Sequence, residues 1–237
     1  MNDKKTELVV IMPVYNEEVS INKVIDEWIL ILKDNVKNFV MLCIDDGSND
    51  GTLEELNTLK NKYGDYIDIL SRENKGHGPS CIQGYNIACE QNIPFVFQID
   101  SDGQCDPKYF SELWAKRFDY DVVYGNRVKR LDGWSRVIIS KILRLFILVL
   151  FKANCVDANV PYRLMRADIL KKVLSNMPEK VYLANIAVSV LFRRLQASQG
   201  IVPIVFRDRY GGEPSVKFSK FGIKAWELYK QMSALKI

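Results

Sequence analysis

The chain has a single histidine, His77, no pair of cysteines in a CxxC arrangement and no apolar run long enough to cross a bilayer. Its five cysteines (Cys43, Cys81, Cys89, Cys105 and Cys155) form no repeated set of cysteine and histidine ligand pairs. This argues against a structural zinc site and a disulfide framework, and fits a reducing compartment. The start, MNDKKTELVV, lacks an apolar stretch followed by a small-residue cleavage site, so export is not expected and the chemistry belongs on the cytosolic side. Repeats, low-complexity tracts and linkers are also missing, which leaves one domain over residues 1–237. The net charge is only +4. That surplus hints at anionic partners such as phosphates or an acidic membrane face, and nucleic acid is not an expected partner.

What is present is an ordinary globular balance, 48% apolar and 26% charged, with enough chain for a sizeable core. ELVVIMPVYNEE reads as a short buried strand, 8–12, followed by a helix through SINKVIDEWILIL with Ser20 as its N-cap. FVMLCIDDGSNDGT repeats the plan, with a strand over 39–44, an acidic turn and a helix through LEELNTLKNKYG. A third strand in YIDIL, a Gly-rich loop and a helix follow; FVFQIDSDGQ gives the fourth strand and DVVYGNRV the fifth. Strands alternating with helices predict an α/β fold, a mostly parallel twisted sheet with right-handed crossovers. In such sheets ligands gather beyond the carboxyl ends of the strands. Here those ends carry PVYNEE, DDGSNDG, ENKGHG and DSDGQ, so four polar clusters are expected on one edge.

Asp100 and Asp102 stand two apart at the end of the fourth strand. Two carboxylates in that spacing raise each other's pKa unless a hard divalent cation neutralises them, which points to Mg²⁺ or Mn²⁺. An EF-hand does not fit, because Gly103 falls fourth from Asp100 and no Glu stands twelfth. ENKGHGPS offers glycine N–H groups near a helix start, an anion nest that puts Lys75 and Gly76 beside a donor's phosphates. His77 reads equally as a surface group or a catalyst.

With PVYNEE, IDDGSNDGT and IDSDGQCDP in that order, each after a strand, the first half resembles the family-2 glycosyltransferases of the GT-A fold. The resemblance implies that Pro13, Tyr15 and Glu17 line the nucleotide pocket and that Asp46 contacts base or ribose. It also implies that Asp100 and Asp102 hold the metal bridging a UDP- or GDP-linked sugar donor. On that reading residues 1–126 form the donor half and 127–237 the acceptor half. Saccharide-extending members carry a carboxylate base on a later helix; here no carboxylate occurs between Glu179 and Asp208. A base is dispensable when the acceptor is already an anion, as a lipid phosphate is. VVYGNRVKRLDGWSR, DANVPYRLMR and VPIVFRDRYGGEPSVKF resemble segments of the dolichyl-phosphate mannosyltransferase branch. By that resemblance Gln104 is a third metal-side ligand, and Arg127, Arg136 and Arg209 work with Asp102 at the reacting phosphates, with Ser215 nearby.

VIISKILRLFILVLF, 137–151, carries two cations and is shorter than the ~20 residues a spanning helix needs. Arg136, Ser140 and Arg144 make one polar stripe on a helix that is otherwise apolar, the pattern of an interfacial helix over 136–152; a core or dimer helix has the same look. A basic amphipathic stretch over 216–236 is the second candidate. The expectation is therefore a metal-dependent, inverting transferase moving a sugar from a nucleotide donor to a polyprenyl phosphate, peripherally associated with the cytosolic membrane face. A homo-oligomer or a membrane-anchor subunit is a further expected partner. Two rivals remain: transfer to a saccharide hydroxyl in cell-surface polysaccharide synthesis, and a non-catalytic nucleotide-sugar-binding subunit.

Overall fold

The protein is described from a computed structural model that covers residues 5–129, 147–149, 151, 153–155, 157–178, 181–211, 226–227 and 229–230. Strand β1 (Leu8–Val14) is buried at every position, as a strand covered on both faces must be. Pro13 is tolerated inside it because pairing with β4 (Phe95–Gln98) ends at Ile11, which leaves one side of the strand without a partner there. Helix α1 (Ile21–Asn35) buries Ile21, Val24, Ile25, Trp28, Ile29 and Leu32 at three-four spacing. Beneath it, Trp28 meets Phe97, Phe110 and Tyr162 at ring distances of 5.5, 6.3 and 5.8 Å.

Strand β2 (Phe39–Asp45), helix α2 (Thr52–Tyr63), strand β3 (Ile67–Ser71) and helix α3 (His77–Glu90) lead to β4, so β1 to β4 form the expected parallel half. Helix α3 lies so close to the sheet that a Cβ on Gly84 would stand 2.5 Å from Cγ2 of Ile11. After α4 (Phe110–Ala115), strand β5 (Val122–Lys129) does not join β4 directly. Strand β6 (Arg163–Arg166) inserts between them, antiparallel to both, and is followed by α5 (Ala167–Ser175), α6 (Ala184–Arg194) and β7 (Gln199–Val205), which pairs parallel with β5. The order is β3-β2-β1-β4-β6-β5-β7, with β6 the only reversed strand among the described residues.

The predicted strands occur, the first running two residues further, to Val14. Ser20 occupies the N-cap position of α1 but makes no side-chain cap bond; its hydroxyl donates instead to the Glu17 carboxylate at 2.5 Å. All five cysteines are buried and none is in a disulfide. No helix among the described residues is long and apolar enough to cross a membrane. The candidate interfacial segments 136–152 and 216–236 lie mostly outside the described residues. Where described, they meet through the rings of Phe151 and Tyr229 at 5.8 Å, and Leu148, Val149 and Trp226 are exposed.

Candidate active site

The carboxyl ends of β1, β2 and β4 all open on one edge of the sheet, because the three strands are parallel and neighbouring. Past β1, Asn16 takes a positive φ of 53° and ties its loop to the next one. Its N–H donates to Ser48 Oγ at 3.0 Å, and Asn49 N–H donates to Asn16 Oδ1 at 2.9 Å. Glu17 N–H donates to Thr52 Oγ1 at 2.8 Å. Pro13 is buried, Tyr15 lies exposed at the edge, and the Glu17 carboxyl is buried. Burial raises the Glu17 pKa above the usual carboxylate value, although Ser20 and Arg209 pull against it.

Past β2, the buried Asp46 carboxylate accepts three bonds from the loop that precedes α3: Arg72 Nη2 at 2.7 Å, Lys75 N–H at 3.0 Å and Gly76 N–H at 2.7 Å. Two N–H groups of the expected anion nest therefore point at a carboxylate of the chain itself. The reason is local: Gly76 at φ 95° turns the backbone into α3, and a carboxylate at a helix start satisfies donors that lack an intrahelical partner.

Past β4, Asp100 Oδ1 lies 2.9 Å from Nε2 of His77, which seats the lone histidine against the acidic pair. Asp102 is buried; its Oδ1 accepts the Gln104 N–H at 3.0 Å and its Oδ2 faces Arg209 Nη1 at 3.3 Å. Burial first, and the charge of Asp100 second, raise the Asp102 pKa. The Gln104 side-chain amide donates to the Arg207 carbonyl at 3.4 Å.

The chain beyond β7 closes this edge. Arg207 N–H donates to Gln104 O at 3.0 Å, Arg207 Nε to Gly103 O at 3.1 Å, and Tyr210 N–H to Asp102 O at 3.1 Å. Gly103, at φ 79°, lets the Tyr210 ring lie where a Cβ would stand 2.5 Å from it. Arg209 then spans two carboxylates, with Nη2 2.6 Å from Glu17 Oε1 and Nη1 beside Asp102.

Arg127 is held by a carboxylate of its own. It forms a two-pronged pair with Asp157, Nε–Oδ2 and Nη2–Oδ1 both 2.6 Å, and packs over the ring of Phe206. Asp157 opens the DANVPYR element, whose arginine, Arg163, is fully buried and donates to the carbonyls of Ala158, Val160 and Asn185 and to Ser189 Oγ. The two ends of that element thus do separate jobs. Arg136 and Ser215 lie outside the described residues. Sequence reasoning did not single out Arg72, whose position after a strand marks nothing by itself. Nor did it give Asp157 a role, although it heads a quoted element.

Among the described residues no three His, Cys, Asp or Glu side chains gather as a ligand set. Asp100 and Asp102 nevertheless suit a hard divalent ion, because oxygen ligands are what such ions take. Burial first and the neighbouring Asp100 charge second raise the Asp102 pKa, and a cation beside the two carboxylates would offset both.

Comparison with known proteins fits this geometry. The chain is 25% identical over 222 residues to the undecaprenyl-phosphate 4-deoxy-4-formamido-L-arabinose transferase of Proteus mirabilis, covering 92% of this chain and 65% of that protein. The protein of the same description from Aeromonas hydrophila is 27% identical over 226 residues, 94% of this chain and 65% of the relative. The chain therefore spans about two thirds of the length of these relatives. Among solved structures, glucosyl-3-phosphoglycerate synthase from Mycobacterium tuberculosis with Mn²⁺, UDP-glucose and phosphoglyceric acid superposes with a TM-score of 0.68 at 18% identity, covering 97% of this chain and 79% of that one. TarS of S. aureus with UDP-GlcNAc gives 0.63 at 18% identity, covering 98% and 68%. Both likenesses bear on the fold, which is that of the GT-A glycosyltransferases expected from the sequence. The profile described as "Glycosyl transferase family 2" matches residues 9–174, and the chain belongs to that family.

Proposed function

We propose that the protein transfers a sugar from a nucleotide-sugar donor to a polyprenyl phosphate at the cytosolic membrane face, with inversion and with a divalent cation at Asp100 and Asp102. The observation that carries the reading is Asp102, a buried carboxylate at the end of β4 beside a second carboxylate, at the edge where α/β sheets bind ligands. Relatives described as undecaprenyl-phosphate sugar transferases align with more than nine tenths of the chain, which favours a lipid phosphate as acceptor.

In this reaction an oxygen of the lipid phosphate attacks the anomeric carbon as the bond from that carbon to the donor's β-phosphate breaks, and the nucleoside diphosphate leaves with the electron pair. The attacking oxygen carries no proton at neutral pH, so no base is required, in keeping with a helix α6 that has no carboxylate. A bound cation would supply charge stabilisation to the departing diphosphate. The protein's own share is positional. The lacing of the loops after β1 and β2 holds Glu17 at the edge, Asp46 fixes the loop leading into α3, and residues 207–210 pin the backbone of Asp102 to Gln104. Exposed Leu148, Val149 and Trp226 offer apolar contact to a membrane surface.

The test is transfer from labelled UDP- and GDP-sugars to extracted polyprenyl phosphate and to soluble saccharides, run side by side. Transfer to the lipid alone is expected, and Asp102→Ala should abolish it in Mg²⁺ or Mn²⁺. Near-normal turnover by that variant, or preference for the saccharides, overturns the proposal.

A further inference from the structure

Asp102 has one carboxylate oxygen committed to the Gln104 N–H, which leaves Oδ2 as the oxygen open to a new partner. That oxygen faces Nη1 of Arg209 at 3.3 Å. The same guanidinium reaches Glu17 through Nη2 at 2.6 Å, and its Nε donates to Gly211 O at 3.1 Å. Arg209 thus stands among buried negative charge, on a segment whose backbone is bonded to the Asp102 loop at 3.1 Å and 3.0 Å.

We infer that Arg209 is an internal counter-ion that competes with the divalent cation for Oδ2 of Asp102. Resting on the reading above, this makes the segment 206–211 the holder of the empty-site charge balance. Cation binding at Asp102 displaces Nη1, while Nη2 keeps its hold on Glu17. The guanidinium is then left beside the site with donors free for a phosphate oxygen, the geometry Arg is suited to. Glu17 is the hinge of this exchange: it retains the arginine at the edge once the aspartate has been given up. One cation replaces another at a single oxygen, so the site never carries its carboxylates wholly unneutralised.

The competition is read by Mn²⁺ binding to the nucleotide-free protein, followed by electron paramagnetic resonance of the free ion, without any turnover. Arg209→Gln should bind Mn²⁺ about tenfold more tightly than the wild type, because the competing donor is gone. Arg166→Gln removes the same charge opposite Phe95 at the start of β4, from a guanidinium that is paired with Asp168 at 2.6 Å; it should stay within about twofold. Asp102→Asn should lose the site. Equal or weaker binding by Arg209→Gln, with Asp102→Asn still losing the site, overturns the competition and leaves the metal reading standing. An equal gain in Arg166→Gln also overturns it, since that would be a general field effect. Binding unaffected by Asp102→Asn, or none in any variant, overturns both. Circular dichroism of each variant excludes misfolding as the cause, and Arg209→Lys, which keeps the charge on a shorter point donor, should fall between the wild type and Arg209→Gln.

Discussion

The pair between Arg127 and Asp157 gives the sharpest energetic prediction. Both side chains are largely buried, 14% and 13% exposed, and they meet through two bonds of 2.6 Å. Asp157→Asn keeps the shape but removes the charge, which leaves a guanidinium with little access to water. Breaking one side of a buried pair costs roughly 3–5 kcal/mol, and the residual exposure here argues for the lower end, about 3 kcal/mol. Arg127→Met strands the carboxylate instead but puts an apolar chain of similar length in the arginine's place, so a smaller loss of about 2 kcal/mol is expected. The double variant has no orphan charge and should lose less than the sum, with a coupling of about 2 kcal/mol. Urea unfolding of the four proteins at low and high salt measures the cycle. An exposed pair would be worth less than about 1 kcal/mol and would fade in salt. A loss below that figure in Asp157→Asn would refute the reading of this pair as a buried structural lock.

Three further outcomes follow from the packing and the titration. Gly84→Ala gains about 1 kcal/mol of helix propensity but drives a methyl against Ile11 and Ile44, an overpacking worth about 1–3 kcal/mol, so a net loss of about 1 kcal/mol in denaturation is expected. Gly103→Ala both strains a φ of 79° and displaces the Tyr210 ring. Hydrogen exchange at the Tyr210 N–H should accelerate at least tenfold, while protection in β1 to β3 stays the same. Burial pushes the Cys43 thiol from 9.0 up to about 12. The unfolded chain therefore ionises first: this contribution to stability is complete below about pH 9 and is lost as the pH rises toward about 12. Iodoacetamide at pH 8 should leave Cys43 unmodified in the native protein and label it in urea; rapid native labelling would contradict its burial.

Much of the first half of the chain was legible because its signals are local. Apolar runs bounded by Pro, Gly and Asp mark β1, β2 and β4, and a parallel order then brings their polar ends to one edge. The Asp100 and Asp102 pair was found the same way, from spacing at a strand end. Ser20 was placed at the N-cap of α1, where it stands, but spacing alone did not reveal that its hydroxyl would turn to the Glu17 carboxylate, which packing buries, rather than to a helix N–H. The N–H groups of Lys75 and Gly76 were singled out for an anion, and the acceptor they meet within the chain, Asp46, lies 29 and 30 residues earlier, beyond the reach of a local pattern.

The sequence by itself determined the alternation of strands and helices and the chemistry delivered to each strand end, since both are written in the spacing of neighbouring residues. Only the tertiary structure decided that β6 would enter reversed between β4 and β5, that Arg127 would meet Asp157, and that Arg209 would cross 192 residues to Glu17. Those choices depend on which charges are buried together, and burial is a property of the packed chain that no local period encodes.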